Sequence, residues 1–317
     1  MRIFKDNLDR DGFFWLETFP EAKKQRAPSH DGLNHLWGYL EMELTTITSL
    51  FVGSGEVGVE GGQMYLRFAQ REGHYILPGS SIKGAVRSLA EMLSPSCMAV
   101  VDDRDYQGQC KADDSLMLCP ACGLFGALSY LGRLTFEDAV ISNPQSAYIT
   151  IFQRTEPRFA APESEVEREK SFEFRKFYMG LAQRARIQDH ERLEVLKPGL
   201  FCPLLIRLSN VQDWEMGLLI LSLGAAPGME FNWKLGGAKN RGFGLVSLRL
   251  RDGQCASGLD WMFGKKQPTA LKVQDWVNAY IRQAKQWKVW QDVVMVVNRL
   301  REVYGHGVAT GSEEGTH

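Results

Sequence analysis

The sequence lacks three features that would place a protein in a class at first sight. No apolar run approaches the roughly 20 residues that a transmembrane helix needs, so we expect no membrane span. The first ten residues are charged and lack the apolar stretch of a secretory signal. Neither sign of charge is in excess, because 37 Lys and Arg residues stand against 38 Asp and Glu residues. These absences predict a cytoplasmic protein and exclude a uniformly basic nucleic-acid coat, but not a local basic groove.

The order of apolar patterns predicts an α+β fold. Alternation predicts a long strand over 36–52, and five glycines in ten residues predict a loop over Gly53–Gly62. Ser80 or Ser81 is expected to cap the helix that follows Pro78. The succession strand, helix, strand occurs twice, which favours an α+β sandwich.

Composition divides the chain into a core and its additions. The core is expected over 36–252, and it carries an irregular, cysteine-bearing lobe at 94–124 and a charged, aromatic insertion at 145–198. An N-terminal arm (1–35) precedes the core. A C-terminal helical extension (253–317) follows it, with aromatic and apolar residues at near-helical spacing.

Four of the six cysteines lie close together in the sequence, at Cys97, Cys110, Cys119 and Cys122. A Cys-Pro-Ala-Cys pair lets two thiolates hold one tetrahedral ion, and two distal thiolates complete a closed site. Such a site has no open position for a catalytic water, so its zinc ion is expected to be structural. His74 is an alternative fourth ligand to Cys97. The competing interpretation is a buried Cys97 beside a pair of cysteines that bind no metal.

The segment after the strand ending at Leu77 has the features of an anion site. The first-turn N–H groups of a helix are unpaired, and the helix dipole favours an anion there. Lys83 and Arg87 are four residues apart and therefore share one face of this helix. The alternative is an ordinary capped helix with two solvated cations.

A second anion-friendly segment lies between two predicted strands, at 235–244. It holds four glycines, two cations and one aromatic residue, and glycines expose backbone N–H groups and allow close approach to a ligand. It lacks the Gly-Lys-Ser/Thr ending of an ATPase phosphate loop. Together the two segments give these candidate RNA-binding residues: Ser80, Ser81, Lys83, Arg87, Gly236, Gly237, Lys239, Asn240, Arg241, Gly242 and Gly244.

Four motifs in this order resemble a known family. They are Leu-Pro-Gly-Ser-Ser-Ile-Lys-Gly from Leu77, Cys-Pro-Ala-Cys-Gly-Leu-Phe-Gly from Cys119, Gly-Arg-Leu-Thr-Phe-Glu-Asp-Ala from Gly132 and Gly-Gly-Ala-Lys-Asn-Arg-Gly-Phe-Gly from Gly236. The combination is similar to the RAMP superfamily, specifically to backbone-type subunits of type III CRISPR–Cas effector complexes. The resemblance covers roughly 36–250.

The resemblance implies a ferredoxin-like (RNA-recognition-motif-like) core, a zinc-supported lobe at 94–124 and an inserted thumb hairpin at 145–198. It also implies guide RNA, target RNA and other CRISPR effector subunits as partners in antiviral defence. Some members cut target RNA with an aspartate in the loop after the first strand. The loop 52–70 contains no aspartate, and its weak candidate is Glu60, with Gln63 near the expected position. A non-cleaving, guide-binding subunit is therefore favoured.

Two alternatives remain open. One is a RAMP endoribonuclease, which either cuts target RNA through Glu60 or processes guide precursors with His35 or His74 as general acid or base. The other is a zinc-stabilised protein-interaction module in which the Trp-rich tail is the functional surface.

Overall fold

The structure is a computed structural model that describes residues 3–4, 13–98, 110–113, 115–141, 147–153, 174–178, 190–264 and 271–307. Parts of the predicted cysteine lobe and thumb insertion lie outside these residues. Within them, strands and six α-helices alternate in a mixed α+β fold, which confirms the predicted class.

The strands in chain order are β1 (Ile3–Phe4), β2 (Phe13–Glu17), β3 (Gln25–Arg26), β4 (Leu36–Thr46), β5 (Gly53–Glu60), β6 (Gln63–Phe68), β7 (Gln70–Arg71), β8 (His74–Leu77), β9 (Met117–Leu118), β10 (Gly126–Ala127), β11 (Tyr130–Leu131), β12 (Leu134–Phe136), β13 (Ala139–Ile141), β14 (Ala147–Gln153), β15 (Phe174–Tyr178), β16 (His190–Leu196), β17 (Phe201–Val211), β18 (Trp233–Lys234) and β19 (Leu245–Ser257). The helices are α1 (Gly79–Leu93), α2 (Pro120–Phe125), α3 (Asp213–Ser222), α4 (Gly258–Met262), α5 (Val273–Gln286) and α6 (Trp290–Tyr304).

The central sheet has five strands in the order β12, β17, β4, β19, β18, and all neighbours are antiparallel. Buried residues alternate along β4, where Leu40, Met42 and Leu44 point to the core. A period of two places these side chains on one face of the sheet, which becomes the core face. The sheet curls, and a register shift between Leu250 and Asp252 interrupts the pairing of β19 with β4.

The helices are packed in layers, and the C-terminal extension completes them. Helix α1 contacts α3 and β12, and its predicted apolar face is confirmed, since Val86 and Leu93 are fully buried. Helix α3 is apolar around most of its circumference, and α5 covers the side that would otherwise meet water. Of the helices that the structure describes, none has the length and apolar character to cross a membrane.

A buried ion pair joins the cysteine lobe to the core. Arg133 is fully buried and forms a salt bridge with Glu215 at the start of α3. The same guanidinium donates to the carbonyl oxygens of Gly123 (2.9 Å) and Asn210 (2.7 Å). Burial alone lowers the pKa of Arg133, but the charge and hydrogen bond of Glu215 raise it above its ordinary value, so the guanidinium stays charged.

The predicted loop at Gly53–Gly62 is wrong, because most of it forms strand β5. This strand pairs with β6 in an antiparallel hairpin. Gly61 and Gly62 form the turn with φ values of 57° and 76°, a pair of left-handed residues typical of a tight type I′ turn. Glycine content alone predicts a loop, whereas here two of the glycines form the turn and the others lie in an exposed strand.

Three distant parts of the chain meet beside the central layers. Strand β2, from the predicted N-terminal arm, pairs with β15 from the charged insertion. Phe14 stacks on Phe177 with ring centroids 5.5 Å apart, and the hydroxyl of Tyr304 in α6 donates to the carbonyl oxygen of Tyr178 (2.6 Å). The insertion also supplies β14 and β16, which pair with each other and join the β5–β6 hairpin.

Candidate RNA-binding surface and cysteine cluster

The four predicted cysteines converge into one buried cluster. Their sulfur atoms all lie within 4.8 Å of one another, and Cys97 Sγ is 3.6 Å from Cys119 Sγ and 3.5 Å from Cys122 Sγ. Four sulfurs around one tetrahedral zinc ion, each about 2.3 Å from it, lie about 3.8 Å apart. The cluster therefore has the dimensions of a zinc site. It includes Cys97, whereas His74 is exposed on β8.

Local structure explains why the cysteines meet. Helix α2 begins at Pro120, so Cys119 and Cys122 lie about one turn apart and face the same side. The backbone N–H of Cys119 points to Cys110 Sγ at 3.4 Å, and Arg87 Nη2 lies 3.2 Å from Cys122 Sγ. Hydrogen bonds from the neighbouring thiols, that of Cys119 first, lower the pKa of Cys110. An N–H donor and a guanidinium beside the sulfurs suit a group of negatively charged thiolates.

The start of α1 does not have the geometry of an open anion site. Pro78 is the capping residue, without a side-chain cap, so the prediction that Ser80 or Ser81 caps the helix is wrong. The backbone N–H of Gly79 donates instead to Asp138 Oδ1 at 2.8 Å. A carboxylate of the protein already lies where the helix dipole favours an anion.

The two cations of α1 are turned toward the protein. Lys83 Nζ donates to the Leu134 carbonyl oxygen (2.8 Å), and burial, then the charge of Arg87, lowers its pKa. Arg87 donates to Glu91 Oε1 (2.9 Å) and to the Gly126 carbonyl oxygen (2.7 Å). Burial acts to lower the pKa of Arg87, but Glu91 and the nearby cysteines raise it. Both charges therefore bind oxygens of the protein itself, and Arg87 also contacts the cysteine cluster.

The glycine loop is folded against the chain that follows β4. The N–H of Gly237 donates to the Phe51 carbonyl oxygen and that of Gly244 to the Ser49 carbonyl oxygen, both at 2.8 Å. A Cβ atom on Gly236 would overlap Phe51 O, and the φ of Gly236 is 79°. The close approach that its glycine content predicted is therefore made, at this position, to the protein itself.

A short turn in the same loop presents one cation to a cavity. Residues Lys239–Arg241 form one 3₁₀ turn. Lys239 lines a cavity of about 130 Å³ together with Ala85 and Ser88 of α1. The two candidate segments, separated by some 150 residues, thus meet at one place. Asn240, Arg241 and Gly242 belong to the same turn and the residue after it.

Three functional candidates in this cavity were missed by sequence reasoning: Arg175, Lys176 and Lys234. Lys234 precedes the glycine loop in a strand and reads as a strand residue. Arg175 and Lys176 lie in the run Phe-Arg-Lys-Phe-Tyr of β15, where aromatic residues alternate with cations. That composition is typical of nucleic-acid surfaces and was the signal available.

The candidate catalytic residue lies at the tip of an exposed hairpin. Glu60 Oε2 is 3.2 Å from Arg192 Nη2, and the Gln63 side-chain oxygen accepts a hydrogen bond from Arg192 Nη1 at 3.0 Å. Glu60 is 61% exposed, so no cleft of the described chain encloses it. The two candidate histidines line different cavities, His35 beside Trp214 and His74 beside Asp138, and do not form an acid–base pair.

A mixed α+β protein with an antiparallel sheet, a cysteine cluster and a cation-lined cavity is the class that this geometry defines. The sequence model of the RAMP superfamily matches residues 43–247. The chain belongs to the RAMP superfamily, and membership implies a CRISPR-associated role in RNA binding or processing. The match includes α1, the cysteine cluster and the glycine loop. A comparison with curated proteins gave no match.

Proposed function

We propose that the protein is a guide-RNA-binding subunit of a type III CRISPR ribonucleoprotein effector complex and does not itself cut target RNA. One observation carries the proposal: α1 and the glycine loop, both within the family match, line the same cation-rich cavity. Backbone phosphates dominate RNA affinity, so clustered cations with little carboxylate nearby suit this role. Guide RNA, target RNA and other effector subunits are its partners, and the cytoplasm is its compartment.

The proposed core is ferredoxin-like. Support comes from the succession β4, α1, β12, β17, α3, β19, which follows the order strand-helix-strand-strand-helix-strand. Support also comes from the sheet order β12, β17, β4, β19, in which the first and third strands of that unit are central neighbours. The antiparallel pair β14–β16 supports a thumb based on the charged insertion.

The proposal is tested by purifying the complex from its host. We expect a short RNA of defined length to co-purify, and a matched target RNA to stay intact on incubation. Discrete cuts that Glu60→Ala abolishes would establish the endoribonuclease alternative instead. Glu56→Ala is the matched control, since Glu56 is an exposed carboxylate of the same hairpin, 3.4 Å from Arg67. Purification without RNA would favour the protein-interaction alternative.

We propose zinc as the structural cofactor of the cysteine cluster. Four buried thiolates leave no coordination position open, and the short lobe has little apolar area of its own. We expect about one equivalent of zinc per chain, and its loss in Cys119→Ser. Cys202→Ser is the control, because Cys202 is buried in β17, outside the cluster. Less than about half an equivalent in the wild type contradicts a zinc site.

A further inference from the structure

The cavity that joins α1 to the glycine loop, here called the basic cavity, has walls from four parts of the chain. Ala85 and Ser88 come from α1, and Lys234 and Lys239 come from β18 and the glycine loop. Strand β15 contributes Arg175–Tyr178, and α6 contributes Tyr304. Strand β15 is held by β2, so the predicted arm, insertion and tail together close a site on the family core.

The charge in the basic cavity is unbalanced. Its lining includes Arg175, Lys176, Lys234 and Lys239 but no carboxylate. Glu91 contacts the lining from outside, because it forms a salt bridge with Arg175 and another with Arg87, which does not line the cavity. One carboxylate is thus shared between two guanidinium groups. The charged residues that line the cavity itself are thus all positive.

Two of these cations, Lys234 and Lys239, are largely buried. Lys234 Nζ donates to the Lys239 carbonyl oxygen at 2.8 Å, and burial, then the charge of Lys239, lowers its pKa to about 8. Burial, then the charge of Arg175, lowers the pKa of Lys239. Within the described chain no carboxylate pairs with either ammonium group. A bound anion would remove the cost of keeping these charges together away from water.

Size and chemistry select the kind of anion. A volume of about 130 Å³ is several times the roughly 10–15 Å³ that one water molecule needs, so the cavity has room for a phosphate group. The walls carry N–H donors on Arg175 and both lysines, and the Ser88 hydroxyl accepts from Arg175, which leaves its own proton free to donate. Phe177, Tyr178 and Trp233 supply apolar surface that strengthens charge-assisted hydrogen bonds.

We propose that the basic cavity binds a single phosphate group of the bound RNA, as a pocket built jointly by the core and by the arm, insertion and tail segments. This inference rests on the proposed function, because RNA is the source of the phosphate. The phosphate is either internal to the strand or at its 5′ end, and both offer the same oxygen acceptors to Lys239 and Lys234.

The test measures binding of oligouridine to the full-length chain over a range of salt concentrations. In Lys239→Met the affinity falls at least about tenfold, as for a lost hydrogen bond to a charged group. The slope of log K against log salt falls in magnitude by about 0.7, as for one phosphate contact with single-stranded RNA. A purely structural role would not change the slope. Lys272→Met, at an exposed lysine before α5, should change neither quantity.

A second variant tests the cavity without altering charge. Ala85→Leu places a larger side chain into the space and should weaken oligouridine binding to a similar degree. Lys239→Met is expected to fold, because replacing a buried charge with an apolar side chain of similar length is neutral or stabilising. Oligouridine with and without a 5′-phosphate, and with single methylphosphonate linkages, distinguishes a terminal from an internal phosphate.

The outcomes separate this inference from the proposed function. If the wild type and both variants bind oligouridine equally, with one salt slope, the basic cavity holds no RNA phosphate, while the RNA-binding role stands. If the wild type binds no oligouridine, the proposed function fails. Inorganic phosphate then decides on the cavity alone: it must raise the Tm of the wild type but not of Lys239→Met, and equal Tm shifts overturn the inference.

Discussion

Helix α1 and the glycine loop look alike in sequence but differ in how their cations are used. In α1, Lys83 and Arg87 donate to protein oxygens, and Asp138 occupies the helix start. In the glycine loop, the backbone is fixed by hydrogen bonds to the segment after β4, while Lys239 extends into the basic cavity. The cations of α1 therefore stabilise the fold, whereas Lys239 of the glycine loop is placed to bind a ligand.

The largest effect on the free energy of unfolding is expected when Arg87 of α1 is replaced. Arg87→Met removes an ion-pair partner of Glu91, which is 2% exposed, and it removes the donor to the Gly126 carbonyl oxygen and the cysteine cluster. Breaking a buried pair costs about 3 kcal/mol of unfolding free energy. Urea unfolding measures the loss.

Arg282→Met is the control for this change, because Arg282 is exposed on α5 and its loss should alter stability by less than about 0.5 kcal/mol. If Arg87→Met unfolds like the control, the Arg87 guanidinium does not stabilise the fold, and the proposed difference between α1 and the glycine loop is contradicted at this residue.

A pH-dependent effect of intermediate size on the free energy of unfolding is expected at Lys234 of the basic cavity. The pKa of Lys234 is about 8 in the folded protein against its ordinary value of 10.5. Between these values the unfolded state binds more protons, so wild-type stability rises with pH through this window. Lys234→Met lacks this rise and is more stable below pH 8, by about 2 kcal/mol after the lost hydrogen bond to Lys239 O is deducted.

Urea unfolding of Lys234→Met and wild type at about pH 7 and about pH 10 checks this sign, since the advantage of the variant should shrink at the higher pH. Lys272→Met, at an exposed lysine, provides the baseline. Parallel pH profiles for wild type and Lys234→Met would mean that the ammonium group is not destabilised by burial.

The smallest effect on stability is expected from replacing Asp138, which binds the start of α1. Asp138→Ala removes the acceptor of the Gly79 N–H and should cost about 1 kcal/mol of stability, as for a lost helix cap. Asp138→Asn keeps an oxygen acceptor and should lose less. Neither change should weaken oligouridine binding. A drop in RNA affinity for Asp138→Asn would show instead that this carboxylate takes part in the RNA site.

The sequence predicted what depends on short-range pattern. The apolar face of α1, strand β4 and the α+β class follow from periodicity, and Cys97, Cys110, Cys119 and Cys122 suggested a common site through their spacing. The glycines of β5 led to the wrong prediction of a loop, because a strand whose side chains lie in water shows little apolar alternation.

Contacts between distant residues could not be predicted in this way. The Gly79–Asp138 hydrogen bond spans 59 positions. The paired strands β2 and β15 are separated in the sequence by much of the core. No local pattern encodes such partners, since they are chosen by the packing of whole layers. The basic cavity consists of these contacts, which is why Lys234 and Arg175 were not recognised from the sequence.

The hydrogen bond between Tyr304 and Tyr178 also has a consequence for synthesis of the chain. Strands β2 and β15 leave the ribosome well before α6, and at about 5–20 residues per second the delay between the two tyrosines is on the order of ten seconds. During that delay β15 lacks its contact with Tyr304. Closure comes last because its contacts join segments far apart in sequence. The wall that Tyr304 contributes is therefore the last part of the basic cavity to be added during synthesis.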